Sequence, residues 1–344
     1  MAQVWGLHMG LQVQDSPIEG KFIAIGWSEI GNLQSIAPDR EAYKGAVKRA
    51  YPDKKAGAIP VDAGTLYKFV NVVQKGDFVV YPSKFDRRIY IGSITGEYYF
   101  QPDTEFQYPN RRPVDWIENF PRGDFTQSAL NEVGSFLSLF RVKSHYLEFL
   151  EAIGASTTAK ISQPDFSPDI EEDTEADDET TTRSIAMQAQ AARDDFIIKR
   201  LLSNLNGYQF EEFIAHLLEC MGYTARATPK SGDGGVDVIA HSDILGLKPP
   251  IIKVQCKRTE ASHSQAEVNQ LLGTLGDGEF GLFVTLGSFS RAAKELERNR
   301  PKIRLIGGDD LIELVISHYE KLSPHYRTLL PLKSMYFPDL GPLD

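Results

Sequence analysis

The chain has 344 residues, 47 acidic and 37 basic side chains, two cysteines and a formal net charge of −10 at pH 7. This length is enough for two domains with separate cores, and the cysteine count argues against a disulfide framework or a cysteine zinc site. No apolar run approaches a membrane span, and the opening MAQVWGLHMG lacks the basic-then-apolar order of a signal peptide, so we expect a cytoplasmic protein.

Residues 1–153 have the composition of a β-rich domain that ends in helix. The segments KFIAIGWSEIGNL, DFVVYPSKFDRRIYIGSITGEYYF and VDWIENFPR hold β-branched and aromatic runs separated by Gly, Pro and Asp, which is typical of strands and turns. We predict a short helix over 42–51 and a longer one over 127–140 that continues or resumes to residue 153.

The order of IGW, KGDFVVYP and RRPVDWIENFPRGDF in this region resembles that of PUA/EVE-like domains, small β-barrels that read bases in nucleic acids. The resemblance implies an aromatic pocket for a flipped base and cationic contacts to phosphates. Candidates for the pocket are Trp27, Tyr81, Tyr90 and Trp116, and candidates for phosphate contacts are Lys84, Arg87, Arg88, Arg111 and Arg112. Alternatively, the aromatic residues belong to the core and the Arg pairs lie in solvated turns.

Residues 154–183 are predicted to be an acidic, flexible linker, because they hold Ser, Thr, Pro and acids with few large apolar residues. Nine acidic residues and no Lys or Arg lie within 162–182, so the rest of the chain has a net charge of only about −1. The negative total charge therefore does not argue against a nucleic-acid partner. A helix over 187–204 is predicted to lead into a second domain, 184–344.

Two apolar runs of this second domain carry polar side chains. Asp237 lies in GDGGVDVIAH, while Gln255 and Lys257 lie in IIKVQCKR. Because side chains alternate along a strand, Asp237 points away from the face of Val236 and Val238, and Gln255 and Lys257 share one face. If the runs pair as a hairpin, a carboxylate, an amide and an ammonium group converge, as phosphodiester hydrolysis with a divalent cation requires.

The pattern D-G-G-V-D-V followed by V-Q-C-K-R resembles the catalytic core of Mrr-type restriction endonucleases, a PD-(D/E)xK branch in which Gln replaces the second acid. The resemblance continues to about residue 314. It implies that Asp237 holds Mg²⁺, or Mn²⁺ as a substitute, that Lys257 assists the attacking water, and that Gln255 fixes a water on the metal or the scissile phosphate. Taken alone, Asp237 also fits an ordinary turn residue and Lys257 an ordinary surface lysine.

The upstream segment GYQFEEFIAHLLECMGYTARAT resembles the opening helix of the same family, whose F-E pair adds an acid to the site. At about 100° per residue, Glu211 falls on the border of the apolar stripe and Glu212 nearly opposite it. We therefore assign Glu211 to catalysis and metal binding. The alternative is an exposed acid favoured in a first helical turn.

Downstream, we predict helices over 265–275, over RAAKELERN with Ser290 as its cap, and from Asp309 or Asp310 as a cap onward, with strands over GLFVTLGSFS and 302–306. Arg258 and Arg291 are candidate nucleic-acid contacts, although a solvated helix face explains Arg291 equally well. His263 is a further candidate for a substrate contact.

We thus predict an α+β two-domain chain, with an N-terminal PUA/EVE-like β-barrel with helices and a C-terminal α/β restriction-endonuclease-like sandwich. The expected activity is Mg²⁺-dependent cleavage of double-stranded DNA, methylated or otherwise modified, in restriction or phage defence. Cutting both strands requires two sites and so predicts a homodimer. The alternatives are a non-cleaving module that binds modified DNA, or a junction resolvase or RNA-cutting effector on the same fold.

Overall fold

The computed structural model describes residues 2–102, 107–135, 137–155, 178–228, 235–243, 246, 249–336 and 338. It divides into two compact units, Met1–Ala192 with Tyr336–Asp344, and Arg193–Met335. Within the described residues, no helix is both long and apolar enough to cross a membrane.

The first unit is built on a seven-stranded sheet. Its strands are β1 (Val4–Leu7), β2 (Phe22–Ile25), β3 (Phe78–Pro82), β4 (Arg88–Ile94), β5 (Tyr99–Phe100), β6 (Asn110–Pro121) and β7 (Leu139–Arg141). They run in the order β2-β6-β4-β3-β1-β7, with β5 also paired to β6. Of these pairs, β1 with β3 is parallel and the others are antiparallel. This mixed α+β arrangement does not by itself establish a PUA/EVE-like barrel, which stays a prediction.

Among the described residues, five α-helices lie wholly within this unit: α1 (Ser16–Glu19), α2 (Arg40–Ala50), α3 (Ala58–Tyr67), α4 (Gln127–Val133) and α5 (Tyr146–Ala152). The predicted helix over 42–51 corresponds to α2. The helix predicted over 127–140 begins at Gln127 but ends at Val133, because residues 139–141 form strand β7; helix then resumes in α5, one of the two continuations predicted. Residues Leu139, Phe140 and Arg141 pair with β1, and a long-range pairing of this kind overrides local helix propensity.

The second unit contains the end of α6 (Asp178–Asn204), α7 (Gly207–Cys220), α8 (Gln265–Leu272), α9 (Arg291–Asn299), α10 (Gly308–Ser317) and α11 (Pro324–Leu329). Helix α6 begins within the stretch predicted as linker, whose residues 156–177 lie outside the described ones. Residues next in sequence cap these helices. Ser290 Oγ accepts the Ala293 N–H at the start of α9, as predicted. At α10 the cap is Gly307 rather than a predicted Asp, and Asp310 reaches back to accept the Gly307 N–H.

The sheet of the second unit has five strands in the order β14-β12-β10-β9-β8. These strands are β8 (Thr224–Ala227), β9 (Val238–His241), β10 (Ile251–Lys257), β12 (Glu279–Thr285) and β14 (Ile303–Ile306), while β11 (Ser262–His263) and β13 (Ser288–Phe289) form a separate parallel pair. Strands β8, β9 and β10 are antiparallel neighbours, and β10, β12 and β14 are parallel. Strand β10 is thus the central strand, paired on both sides.

Helices cover both faces of this sheet. On one face, Val254 and Cys256 of β10 and Val238 of β9 join apolar residues of α6, α7 and α10 in one core. On the other face, Phe283 and Leu305 pack with residues of α8 and α9. The alternation of side chains therefore sends Gln255 and Lys257 to the face opposite Cys256. The result is a three-layer α/β/α unit.

Candidate active site

Asp237 stands directly before β9, and its carboxylate is bonded to the central strand. Its Oδ2 accepts the Cys256 N–H at 2.7 Å, and its own N–H donates to Val254 O at 2.8 Å. The register Val254↔Val238 makes β9 and β10 the antiparallel neighbours that the predicted hairpin requires. Asp237 thereby lies beside Gln255 and Lys257.

The environment of Asp237 disfavours its charged form. Burial raises the pKa of the Asp237 carboxyl above its usual value, while the hydrogen bond from Cys256 and the charge of Lys257 oppose that rise. A carboxylate held in this way gains from a bound cation, because a cation compensates the lost solvation.

Gln255 presents an unsatisfied polar atom. Its side chain is 6% exposed, and its buried Oε1 has no hydrogen-bond partner among the residues that the structure describes. A buried amide oxygen without a donor costs about 1–3 kcal/mol, so such an atom in a native site calls for a ligand or a water. Lys257, two residues further along the same face, is half-buried.

Glu211 lies near the same strand. The Cys256 thiol is buried, and burial raises its pKa well above the usual value. The negative charges of Asp237 and Glu211 raise that pKa further, while the charge of Lys257 lowers it. The charges of the three candidates Asp237, Glu211 and Lys257 therefore all influence the pKa of one thiol near the end of β10. In α7, Glu211 is half-buried and Glu212 is exposed, the relative placement expected from the helical periodicity.

The residues fit a site for a hard divalent cation with few protein ligands. Among the described residues, no group of three or more His, Cys, Asp and Glu side chains is arranged to hold a metal. Mg²⁺ commonly binds through one or two carboxylates and keeps several waters and substrate phosphates. Asp237 and Gln255 Oε1, which has no hydrogen-bond partner among the described residues, match that need for oxygen ligands, and Glu211 stays a prediction as the second acid.

Thr228 was not identified from the sequence. Its Oγ1 donates to Val236 O at 2.7 Å, and its N–H donates to Asp237 O at 2.9 Å. Thr228 is buried and follows β8, so it fixes the backbone from which the Asp237 side chain projects. A threonine at the end of a short strand carries no pattern that distinguishes it before the strands are paired.

The remaining candidates of this unit divide by exposure. His263 is 4% exposed, with Nδ1 at 2.8 Å from Glu267 and Nε2 at 3.0 Å from Thr285 Oγ1. It is thus a buried structural residue, and its predicted substrate contact is wrong. Arg258 donates to Leu202 O, and its buried Nε has no partner within the described ranges. Arg291 is exposed and pairs with Glu295 at 3.2 Å, so it stays a candidate.

In the first unit, three predicted base-stacking residues pack on one another. The ring centroids of Tyr81, Tyr90 and Trp116 are 5.9–6.3 Å apart. Tyr81 is 1% exposed, so its predicted role in stacking a base is wrong: a ring that solvent does not reach cannot receive a ligand. Trp27 lies apart from this cluster and is half-buried.

The predicted phosphate contacts of the first unit also differ from one another. Arg112 has no exposed side-chain surface, and it donates to Phe69 O, Gly96 O and Val70 O at 2.7–3.2 Å. Its predicted phosphate contact is wrong, because the guanidinium group is buried and its N–H donors are already bonded to these carbonyl oxygens.

The four other basic candidates are not buried. Lys84 is exposed, and Arg87, Arg88 and Arg111 are half-buried. The Arg88 guanidinium donates to both the side-chain oxygen and the backbone oxygen of Asn119. The Arg111 guanidinium lies 3.9 Å from the Phe22 ring centroid. Their phosphate contacts stay predictions.

The second unit thus combines a mixed sheet with a carboxylate, an amide and an ammonium group on its central hairpin, a set that metal-dependent phosphodiester hydrolysis can use. Residues 202–315 match the family model Mrr_cat, described as restriction endonuclease. This match lies wholly within the second unit, which is therefore similar to Mrr-type restriction endonuclease domains. Residues 7–142 match a family described as a domain of unknown function, DUF8426.

One relative is the type IV methyl-directed restriction enzyme EcoKMrr of Escherichia coli (strain K12). It is 23% identical over 230 residues, which cover 65% of this chain and 71% of the relative. Two solved structures are also similar in part. The DNA modification-dependent restriction endonuclease AspBHI is 18% identical with a TM-score of 0.32, and the similarity covers 79% of this chain and 70% of that one. The MspJI restriction endonuclease in complex with a 27-mer oligonucleotide is 15% identical with a TM-score of 0.28, and the similarity covers 78% of this chain and 64% of that one.

Proposed function

We propose that this protein is a metal-dependent DNA endonuclease of the restriction type that acts on modified DNA. The observation that carries the proposal is the cluster on the central hairpin, in which Asp237 is bonded to β10 between Gln255 and Lys257. The Mrr-type domain over 202–315 supports a nuclease rather than a binding module.

Each residue of the cluster has a role that its surroundings support. Asp237 and Gln255, with Glu211 as a further acid, would hold Mg²⁺ or Mn²⁺, which would supply charge stabilisation at the scissile phosphate. The Lys257 ammonium group orients the attacking water and offsets the charge that develops on the pentavalent phosphate. Attack breaks one P–O bond, and the leaving oxygen takes up a proton.

The presence of Gln255 in place of a second acid lowers the negative charge of the site. We infer a weak affinity for the metal alone and a contribution from the DNA phosphate as a ligand. Cutting both strands would take two such sites, so we also propose a homodimer on DNA, which sedimentation with a short duplex would detect.

Dependence on modified DNA is proposed from the E. coli relative, which is named as methyl-directed. The first unit, which holds the separate seven-stranded sheet, would then select the DNA, and the Mrr-type domain would cut it. In this proposal the first unit is a PUA/EVE-like reader over 1–153, joined through the acidic stretch 154–183 to the catalytic domain 184–344.

The test is cleavage of unmodified plasmid and of the same plasmid methylated at cytosine, with Mg²⁺ or Mn²⁺, by the full chain and by Lys257→Ala. Lys302→Ala is the matched control, because Lys302 is an exposed lysine at the opposite end of the parallel strands. We expect cutting of the methylated plasmid only, lost with Lys257→Ala and with chelator and retained with Lys302→Ala.

Other outcomes separate the alternatives. Cutting of both plasmids would keep the nuclease and remove the dependence on methylcytosine. If neither plasmid is cut but a four-way junction or RNA is, the chain is a resolvase or an RNA-cutting effector instead. Tight binding of methylated DNA with no cleavage of any substrate would favour a binding module.

A further inference from the structure

A cavity of about 270 Å³ opens in the first unit at the carboxyl end of β2. Its walls include three aromatic side chains, Trp27, Tyr51 and Tyr108, together with Gly26, Lys54 and Ser138. This volume lies just below the range of roughly 300–1,000 Å³ typical of pockets for drug-sized ligands. The cavity therefore suits one flat heterocycle rather than a whole nucleotide or a peptide.

The backbone at Trp27 is held in an unfavourable conformation. Trp27 has φ 57° and ψ 45°, in the left-handed region, which is a genuine outlier for a bulky residue. A strained backbone conformation persists only where the surrounding structure holds it, and such residues cluster at binding and catalytic sites. Here it brings the indole to the wall of the cavity.

The indole and a neighbouring lysine are fixed by one carboxylate. The Trp27 Nε1–H donates to Asp62 Oδ2 at 3.0 Å, and the Lys54 ammonium group pairs with the same oxygen. The Lys54 nitrogen also lies 5.9 Å from the Trp27 ring centroid and 5.4 Å from that of Tyr51. Because Asp62 balances its charge, Lys54 offers hydrogen-bond donors without a net charge in the pocket.

We propose that this cavity binds a single nucleobase turned out of duplex DNA. The base would stack on Trp27 and Tyr51, and a hydrogen-bond acceptor atom on its edge would face the Lys54 ammonium group. The inference rests on the proposed action on modified DNA and names the site at which the modification is read. Every base offers a face for stacking and at least one ring or carbonyl acceptor. A methyl substituent adds apolar area and no charge, so it leaves the Lys54–Asp62 pair intact.

The structure favours this cavity over the cluster of Tyr81, Tyr90 and Trp116. In that cluster each ring packs on the other two, and Tyr81 is buried. Trp116 is nevertheless a matched control, because its indole N–H also donates one hydrogen bond, to Pro17 O at 2.9 Å. Substituting either Trp removes an indole and one hydrogen bond, but only Trp27 lines the cavity.

The experiment measures binding of fluorescein-labelled short duplexes by the full chain in EDTA, where no cleavage occurs. The duplexes carry a central unmodified cytosine, 5-methylcytosine, 5-hydroxymethylcytosine or N6-methyladenine, or an abasic site at that position. For the preferred duplex, we expect Trp27→Leu to raise Kd about tenfold or more, and to leave Kd for the abasic duplex unchanged. Trp116→Leu is expected to show no such difference between the two duplexes.

If Trp27→Leu weakens binding of base-containing and abasic duplexes equally, the proposal is overturned. Should that variant fail to fold, as judged by circular dichroism, Lys54→Gln replaces it with the same expectations. Failure of this inference differs from failure of the nuclease, since preferential cutting of modified plasmid that survives Trp27→Leu would remove only the pocket. Conversely, if Trp27→Leu raises Kd only for the base-containing duplexes, the pocket is supported even when no substrate is cleaved.

Discussion

The backbone N–H of Cys256 donates to the carboxylate of Asp237 at 2.7 Å. Cys256 lies between Gln255 and Lys257, so this one bond sets the position of the acid relative to the amide and the ammonium group. Its donor belongs to the central strand of a five-stranded sheet. The acid is thereby attached to a rigid element, as a precise site requires.

Replacing this acid by its amide should abolish cleavage without unfolding the protein. In Asp237→Asn the side-chain carbonyl can still accept the Cys256 N–H, while the charge needed to hold a cation is lost. We expect the cleavage rate on modified plasmid to fall about 100-fold or more, with unchanged circular dichroism. Asp277→Asn, at an exposed loop position, is the control and should cleave normally; equal loss in both variants would contradict the assignment.

The same substitution should stabilise the metal-free protein at neutral pH. Burial raises the pKa of Asp237 in the folded state, so the folded state binds the proton more tightly than the unfolded state does. The resulting stability is present below the usual pKa of the carboxyl and is lost as pH rises through the raised folded-state pKa. Thermal unfolding in EDTA should therefore give Asp237→Asn a higher Tm than wild type at pH 7, and nearly the same Tm near pH 3.

In the same experiment, adding Mg²⁺ is expected to raise the Tm of wild type above that of Asp237→Asn. A cation that binds only the folded wild type raises its Tm and leaves Asp237→Asn unaffected. A variant that is less stable than wild type in EDTA at pH 7 would show that the carboxylate is stabilising there.

Restoring a second acid should strengthen metal binding. Gln255 Oε1 is buried, with no partner in the described part of the chain, and Gln255→Glu places a carboxylate at that position beside Asp237. We expect the Mg²⁺ concentration for half-maximal cleavage at pH 8 to fall several-fold, because ligand charge raises the affinity for a hard cation. Gln255→Met serves as the uncharged control of similar size. An unchanged or higher Mg²⁺ requirement in Gln255→Glu would place the metal elsewhere.

Local patterns explain how much of this hairpin was predictable. Alternation along a strand depends only on neighbouring residues, so the sequence was sufficient to put Gln255 and Lys257 on one face. The pairing of β9 with β10, which brings Asp237 beside them, was a condition of that prediction that the structure supplies. The role of Arg112 was not predictable in this way, because its three carbonyl acceptors come from the segments at Phe69 and Gly96. An Arg-Arg pair in a strand has the same sequence whether one member is buried or both are exposed.

Arg112 should therefore be needed for folding of the first unit. Arg112→Met leaves the carbonyls of Phe69, Val70 and Gly96 without their donor in a buried site. We expect the free energy of unfolding to fall by about 3 kcal/mol or more, measured by urea denaturation. Arg111→Met, at the half-buried neighbour, should cost clearly less. Comparable stability of the two variants, with a large loss of DNA affinity only in Arg112→Met, would restore the phosphate contact.

Thr228 should control the rate of cleavage without touching the substrate. Its hydroxyl donates to Val236 O at 2.7 Å, so Thr228→Val removes the bond that holds the backbone before Asp237 while conserving shape. Small displacements of a reacting group are costly, and we expect kcat to fall about tenfold or more with little change in KM for DNA. Thr228→Ser keeps the hydroxyl and should restore most of the rate. If Val and Ser variants cleave alike, the backbone of Asp237 is fixed by the strand pairing of β9 and β10 alone.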